Sequence, residues 1–269
     1  MDKMNKLVLV AGGDSFIWGT ELRDQKGVYS KSTFTALLAK SKGMHYECVA
    51  RPANANQAIA RMVLNYCESH KDIEKFVTVS WTFTNRYEFR FPFTTQTYQD
   101  YWESISTWTV ADLKEIEKEV GNGMPEVMKK FLSGRQADKI NGVFDFSEAY
   151  MKYLGHSEYW EVYTSLLSIV MLQNYLDLNN IPYMFTLSDN CILNNFTIGS
   201  RDPSISSLYN QLDMSNWYIF PEGKGFYQWA RENKYPVGET HPLEEAHADA
   251  AQLMKDKFYE LVTKFNKQN

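Results

Sequence analysis

Three apolar segments near the amino end alternate with two helical patterns, and this alternation constrains the fold more than any other feature. The segments are residues 6–11 (KLVLVA), 45–50 (HYECVA) and 74–82 (EKFVTVSWT). Between them, residues 30–40 (SKSTFTALLAK) offer Ser and Thr caps for a helix. Residues 51–70 (RPANANQAIARMVLNYCESH) place Ile59, Met62, Val63 and Tyr66 on one helical face, with Asn54 or Asn56 available as the cap. Compact apolar runs suit strands buried on both faces. The order strand, helix, strand, helix, strand predicts an α/β fold with a parallel sheet and right-handed crossovers.

Residues 83–157 break the rhythm. Residues 86–108 are dense in aromatics, residues 111–132 read as a charged helix, and no clear strand stands out. The expectation is one domain over residues 1–269 that carries a large aromatic-rich insertion or lid at about 83–157. The rhythm returns with a helix at 158–179, a fourth strand at 182–187 (PYMFTL) and a short fifth strand at 216–220 (NWYIF). A short helix at 226–234 and a long terminal helix follow, with Pro242 near the start of the latter, where proline is tolerated. A chain of 269 residues is long enough for one substantial core.

Composition removes several classes of function. The net charge is −5 and no basic stripe exists for a phosphate backbone, so nucleic acid is not an expected partner. Cys48, Cys67 and Cys191 are widely spaced and form no CxxC, which argues against a disulfide framework and a zinc site and for reduced, buried thiols. The segment AGGDSFIWG lacks the GxGxxG spacing and no Walker lysine is present, so a nucleotide is a poor fit; no cofactor and no metal are expected. No run of 18 apolar residues exists, and the N-terminus is too short in its apolar part for a signal peptide; the expectation is a cytoplasmic protein with no membrane span.

In open parallel sheets, ligands sit beyond the carboxyl ends of the strands. Ser15 and the loops at 51–56, 82–88 and 188–190 all follow strand ends and are expected on one rim. A serine nucleophile needs a base. Of the five histidines, His241 stands in the loop VGETHP just before the terminal helix, which suits it to the same rim, and His247 follows as a capping or supporting group. Bland readings stand beside these. Gly-Asp-Ser runs often only cap helices. RYEFRF reads equally as an edge strand with Arg86 and Glu88 as a solvated ion pair, Asp189 reads as a helix cap, and Tyr98, Tyr101, Trp102 and Trp108 read as the insertion's own core or as a sugar platform.

The chain resembles the SGNH (GDSL-type) hydrolases. GDSFIWG resembles their first block and THPLEEAHADAA their last, at opposite ends of the chain. ARPANANQAI resembles the second block, and VSWTFTNRYEF the third, in a tryptophan-threonine-arginine version common in phage-associated members. The resemblance covers roughly residues 5–90 and 158–265 and implies a flavodoxin-like three-layer fold and a serine esterase mechanism. By that resemblance Ser15 attacks, His241 is the base, and the oxyanion is held by the Ser15 N–H, an N–H from Ala53, Asn54 or Asn56, and a group among Thr82, Asn85 and Arg86. The family's second-block glycine is replaced by Ala53 or Asn54, its third-block asparagine by Thr82, and its aspartate, three residues before the histidine, by Gly238. Glu239 is the candidate to orient His241 instead.

Two functions are thus in view. One is hydrolysis of a small-molecule or carbohydrate ester, an O-acetyl group on a sugar among them. The other is a catalytically weak or inactive binding or assembly module that uses the aromatic insertion as its interface.

Overall fold

The computed structural model describes residues 7–91, 101–106, 142–194 and 202–268. Its centre is a four-stranded parallel sheet in the order β2-β1-β3-β6: β1 is Val8–Gly12, β2 His45–Cys48, β3 Lys75–Trp81 and β6 Tyr183–Leu187. Side chains alternate between the faces of these strands. Val8, Val10, Val77 and Val79 therefore enter one core, with helices α3 (Asn56–Ser69), α5 (Glu158–Leu178) and α7 (Pro203–Tyr209). Leu9, Ala11, Phe76 and Met184 enter the other, with α2 (Phe34–Ser41), α8 (Phe226–Glu232) and α9 (Glu244–Gln268). The parallel sheet is the one expected from the alternation, and the three-layer α/β/α arrangement is the one the resemblance implies. In α3 the buried stripe runs through Ile59, Val63 and Cys67, with Met62 and Tyr66 half-buried at its edge. A Cβ on Gly12 would lie 2.4 Å from Val63 Cγ2, so the first glycine after the apolar run lets α3 sit close against β1. Cys48, Cys67 and Cys191 are free thiols.

Two expectations are corrected. Residues 216–220 do not add a fifth strand. Met214–Asn216 form a 3₁₀ turn, a single parallel bridge joins Phe185 to Trp217, and the chain turns away again at Pro221. Trp217 and Phe220 are buried in opposite cores, and that packing, rather than ladder bonding, holds the segment.

Within residues 83–157, β4 (Arg86–Phe91) and β5 (Tyr101–Ser106) pair as an antiparallel ribbon; β4 is the strand that RYEFRF allowed, and β5 was not expected. The strict alternation of RYEFRF is the period of a strand. Tyr87 and Phe91 build a small core with Ile105, and with Val143 and Met151 of α4 (Val143–Tyr153). On the opposite face Glu88 forms a two-point ion pair with Arg61 of α3, at 2.9 and 2.5 Å. Glu88 is therefore not the partner of Arg86. The 111–132 stretch, Tyr98 and Trp108 lie outside the described residues. Trp102 is exposed, with Arg61 over its ring at 4.6 Å.

Candidate active site

β1 has β2 on one side and β3 on the other, so the crevice between the carboxyl ends of β1 and β3 is the sheet's topological switch point. Ser15 stands there. Asp14 caps the one-turn helix α1 (Ser15–Trp18), its Oδ1 accepting from the Phe16 N–H at 3.1 Å. The helix stops at Gly19, which adopts φ 79° and whose N–H donates to the Ser15 carbonyl at 2.9 Å. Such a short helix leaves its first amides without intrahelical acceptors, and the Ser15 N–H is uncommitted among the described residues.

The far end of the chain supplies the base. The bridge between Val237 and Pro242, with the Gly238 N–H donating to the His241 carbonyl at 2.9 Å, makes a tight loop ahead of α9. It sets the His241 ring edge-on to Phe16, with His241 Nε2 2.8 Å from Ser15 Oγ. Ser15 and His241 are thus brought together from positions 226 residues apart.

The acid on the other ring nitrogen is not Glu239, which is exposed and reaches neither His241 nor Ser15. It is Glu21, whose Oε1 lies 2.7 Å from His241 Nδ1. Glu21 also accepts from the Thr240 N–H at 3.2 Å, the Thr240 hydroxyl at 3.0 Å and the His241 N–H at 3.3 Å. Burial pushes its carboxyl up, but the hydrogen bonds from His241 and Thr240 outweigh burial and hold it down at about 2.

Two backbone features make room for it. Leu22 N–H to Gly19 carbonyl, 3.1 Å, closes a turn in which Glu21 takes φ 72°, a conformation that costs a non-glycine residue about 1 kcal/mol or more. A Cβ on Gly238 would lie 2.0 Å from Glu21 Oε2. The position where the resemblance calls for an aspartate therefore has no side chain, and a glutamate from the opposite end of the chain fills that volume. Only the combination of an acid just after the first block and a glycine at 238 signals this in the sequence, and neither half is informative alone.

The remaining expected residues meet around Asp14, which is fully buried. Besides the Phe16 amide it accepts from Ser188 Oγ at 3.3 Å, Thr82 Oγ1 at 2.6 Å and Arg86 Nη1 at 3.3 Å. The rims of β1, β3 and β6 are thereby tied to one carboxylate. Thr82 spends its hydroxyl proton on Asp14, so it has none for a ligand. Asn54 turns its amide back to the Gly13 carbonyl at 3.0 Å.

Asn56 is not the cap, a position that falls to Ala55, and its side chain is committed inside the protein. Its Oδ1 accepts from the Thr82 N–H at 2.8 Å and its Nδ2 donates to the Thr82 carbonyl and to Ser165, so it holds the β3 end in place. Asn85 has no side-chain hydrogen bond among the described residues. Ala53 adopts φ 61°, the left-handed conformation that suits the glycine of the resembled family, and its N–H is uncommitted among the described residues. Asp189 caps a short helix, accepting from the Cys191 N–H at 2.9 Å.

His247 stands apart from this constellation. It is fully buried, and its Nδ1 accepts from the Phe34 N–H at 3.2 Å. Burial, and next the neighbouring His241, lower its pKa to about 3, so the ring is neutral. Among the described residues no cluster of three or more His, Cys, Asp or Glu side chains is arranged to hold a metal ion, and no helix is long and apolar enough to cross a membrane.

No family model matches this sequence, and no curated protein does. Solved structures similar to it include the psychrotrophic esterase EstA from a Pseudoalteromonas species, 10% identical over 97% of this chain and 98% of that chain, with a TM-score of 0.43. A G-D-S-L family protein from Desulfitobacterium hafniense is 12% identical over 94% and 98%, with a TM-score of 0.41. A carbohydrate esterase is 13% identical over 95% of this chain and 69% of that chain, with a TM-score of 0.43. The functional argument stands on the geometry of the site itself.

Proposed function

We propose that this protein is a serine hydrolase that cleaves a carboxylic ester through an acyl-enzyme. The observation that carries the reading is the chain of contacts Ser15 Oγ–His241 Nε2–Glu21, at 2.8 and 2.7 Å. Ser15 Oγ forms a bond to the ester carbonyl carbon, its proton passes to His241 Nε2, and the carbonyl π pair moves onto oxygen. Collapse breaks the carbon–alkoxy bond, and the proton on His241 goes to the departing alcohol. Water, deprotonated by the same nitrogen, then attacks the acyl-enzyme and releases the carboxylic acid and free Ser15. Glu21 holds the ring in the tautomer with Nδ1 protonated and stabilises the imidazolium between the two proton transfers. The Ser15 N–H and the Ala53 N–H are the backbone donors to the oxyanion.

The ribbon is a wall of this site. Ser104 of β5 accepts from the Ala55 N–H at 3.1 Å, which steadies the loop that carries Ala53. As substrate class we propose an O-acetyl ester of a carbohydrate. The support is the aromatic density of residues 86–108, eight of 23 residues.

The test is hydrolysis of an aryl acetate together with labelling by a fluorophosphonate. Wild type is expected to turn over and to be labelled on Ser15. Ser15→Ala is expected to lose about 10⁴-fold or more in kcat and all of the label. A folded wild type that neither turns over nor takes up label would return the chain to the class of binding or assembly modules.

A further inference from the structure

Arg86 carries the one guanidinium among the described residues that meet around Asp14, and two of its five N–H donors are spent inside the protein. Its Nη1 donates to Asp14 Oδ2 at 3.3 Å, to Thr82 Oγ1 at 3.0 Å and to the Asn54 carbonyl at 3.4 Å. Those acceptors belong to the loops after β1, β3 and β2, so the guanidinium sits where three strand ends meet. Two of them are the immediate chain neighbours of the proposed backbone donors: Asp14 precedes Ser15, and Asn54 follows Ala53. The guanidinium carries five N–H groups in a rigid fork. The Nη2 and Nε protons have no acceptor among the described residues, although the side chain is only 16% exposed. Phe83 covers it at 4.8 Å from the ring centre. The Nη1 bonds fix the fork, and its remaining protons are open to solvent, where an oxygen that arrives with a ligand can accept them.

We propose, resting on the hydrolase reading above, that Arg86 is a catalytic residue whose free Nη2 and Nε protons bind the oxyanion that forms on the ester carbonyl, alongside the Ser15 and Ala53 amides. A charged donor fixed in a partly buried site acts on the developing negative charge more strongly than on the neutral ground-state carbonyl. Asp14 and Thr82 hold the fork in place, and the Asp14 carboxylate balances its charge in the resting enzyme. The residues that differ from the resembled family at its third block therefore form a unit: the Thr82 hydroxyl relays between Arg86 and Asp14, and Arg86 does the binding.

The competing role is structural, with Arg86 serving only to neutralise the buried Asp14. Steady-state hydrolysis of an aryl acetate by the full chain separates the two. Arg86→Gln is expected to lower kcat by about 10²–10³-fold with KM little changed. Arg86→Gln/Asp14→Asn removes the buried charge together with its counter-charge and keeps a capping side chain on α1. It is expected to stay as slow as the single variant, and guanidinium added at non-denaturing concentration is expected to raise kcat in Arg86→Ala. Recovery of wild-type kcat in the double variant overturns the proposal, as does wild-type kcat in Arg86→Gln. Should Arg86→Gln fail to fold, Arg86→Lys, which keeps a cation beside Asp14 but lacks the fork, gives the decision: a drop toward the Gln value supports the assignment and an unchanged kcat overturns it. Absence of turnover and of Ser15 labelling in wild type would sink the hydrolase reading and this assignment with it, whereas a labelled, active wild type indifferent to Arg86 sinks the assignment alone.

Discussion

His241 and His247 flank the start of α9, six residues apart, and the fold uses them in opposite ways. His241 lies at the rim with both ring nitrogens committed to side chains from the β1 end, Ser15 and Glu21. His247 lies a turn inside the helix, fully buried between Phe34 and Phe226, whose ring centres are 5.7 and 4.7 Å away, and accepts a single backbone amide. The difference shows that a histidine's work is set by what faces its nitrogens. An ionisable partner on each side makes a ring that can pass a proton, whereas an apolar box with one N–H donor makes a neutral spacer. Substitution at the first should cost activity and at the second stability, and measurements on both break or sharpen the contrast.

The largest effect is expected at Glu21. Glu21→Gly removes the acid and also relieves the positive φ, so its cost reads out the carboxylate; kcat should fall by roughly 10²–10⁴-fold. Glu239→Ala should leave kcat close to wild type. Adding Gly238→Asp to Glu21→Gly puts a carboxylate back from the neighbouring loop, into the volume the glutamate vacates. The double variant should recover about tenfold or more of the lost kcat. Gly238→Asp alone should lower kcat, by no more than Glu21→Gly does, because its Cβ would lie 2.0 Å from Glu21 Oε2 and push that carboxylate off His241. Wild-type kcat in Glu21→Gly would show that His241 needs no acid and would dissolve the contrast between the two rings.

That exchange of acids marks the limit of what the sequence makes legible. The four-stranded parallel sheet, the rim position of Ser15 and the pairing with His241 follow from local signals: apolar runs that end in small residues, and His-Pro before a helix. Local signals also mark the β4 strand, through its strict alternation. The acid was hidden because the contact between Glu21 and His241 spans 220 positions, and because the informative residue on the histidine side is a glycine that contributes only empty space. The side chain of Asn56 is hidden for the same reason, and its reading as a helix cap fails. A loop asparagine looks like a cap or a ligand donor until its partners, Thr82 and Ser165, are brought in from distant elements.

A smaller effect, in stability rather than rate, is expected at the second ring. His247→Ala deletes a ring packed on Phe34 and Phe226 and leaves the Phe34 N–H, at the start of α2, without its acceptor. A cavity and an orphaned buried donor together should cost about 2–4 kcal/mol in denaturant unfolding, with kcat close to wild type in the folded protein. A large loss of kcat without loss of stability would mean that His247 acts on the reaction through His241, and the two rings would then form one unit.

The smallest effect is a slope. Unfolded, the His247 ring takes up a proton as the pH falls below its ordinary value of 6.5; folded, it stays neutral down to about 3, chiefly because it is buried. The unfolded chain therefore binds more protons across that window, and stability must fall on acidification, by up to about 1.4 kcal/mol per pH unit from this group alone. Glu21 adds a loss of the same sign lower down. Its contribution is complete above its ordinary 4.5 and disappears as the pH falls toward about 2, where its hydrogen-bonded carboxylate at last takes up a proton. Unfolding free energies at a series of pH values between 6.5 and 4.5 isolate the histidine, since Glu21 is ionised in both states over most of that interval. His247→Gln, which offers the Phe34 amide a neutral acceptor, should flatten the curve there, while Glu21→Gln should leave that part of the slope intact and flatten the curve only below it. An unchanged slope in His247→Gln would place the acid sensitivity elsewhere and remove the second half of the contrast between a ring bonded to two side chains and a ring built to stay neutral.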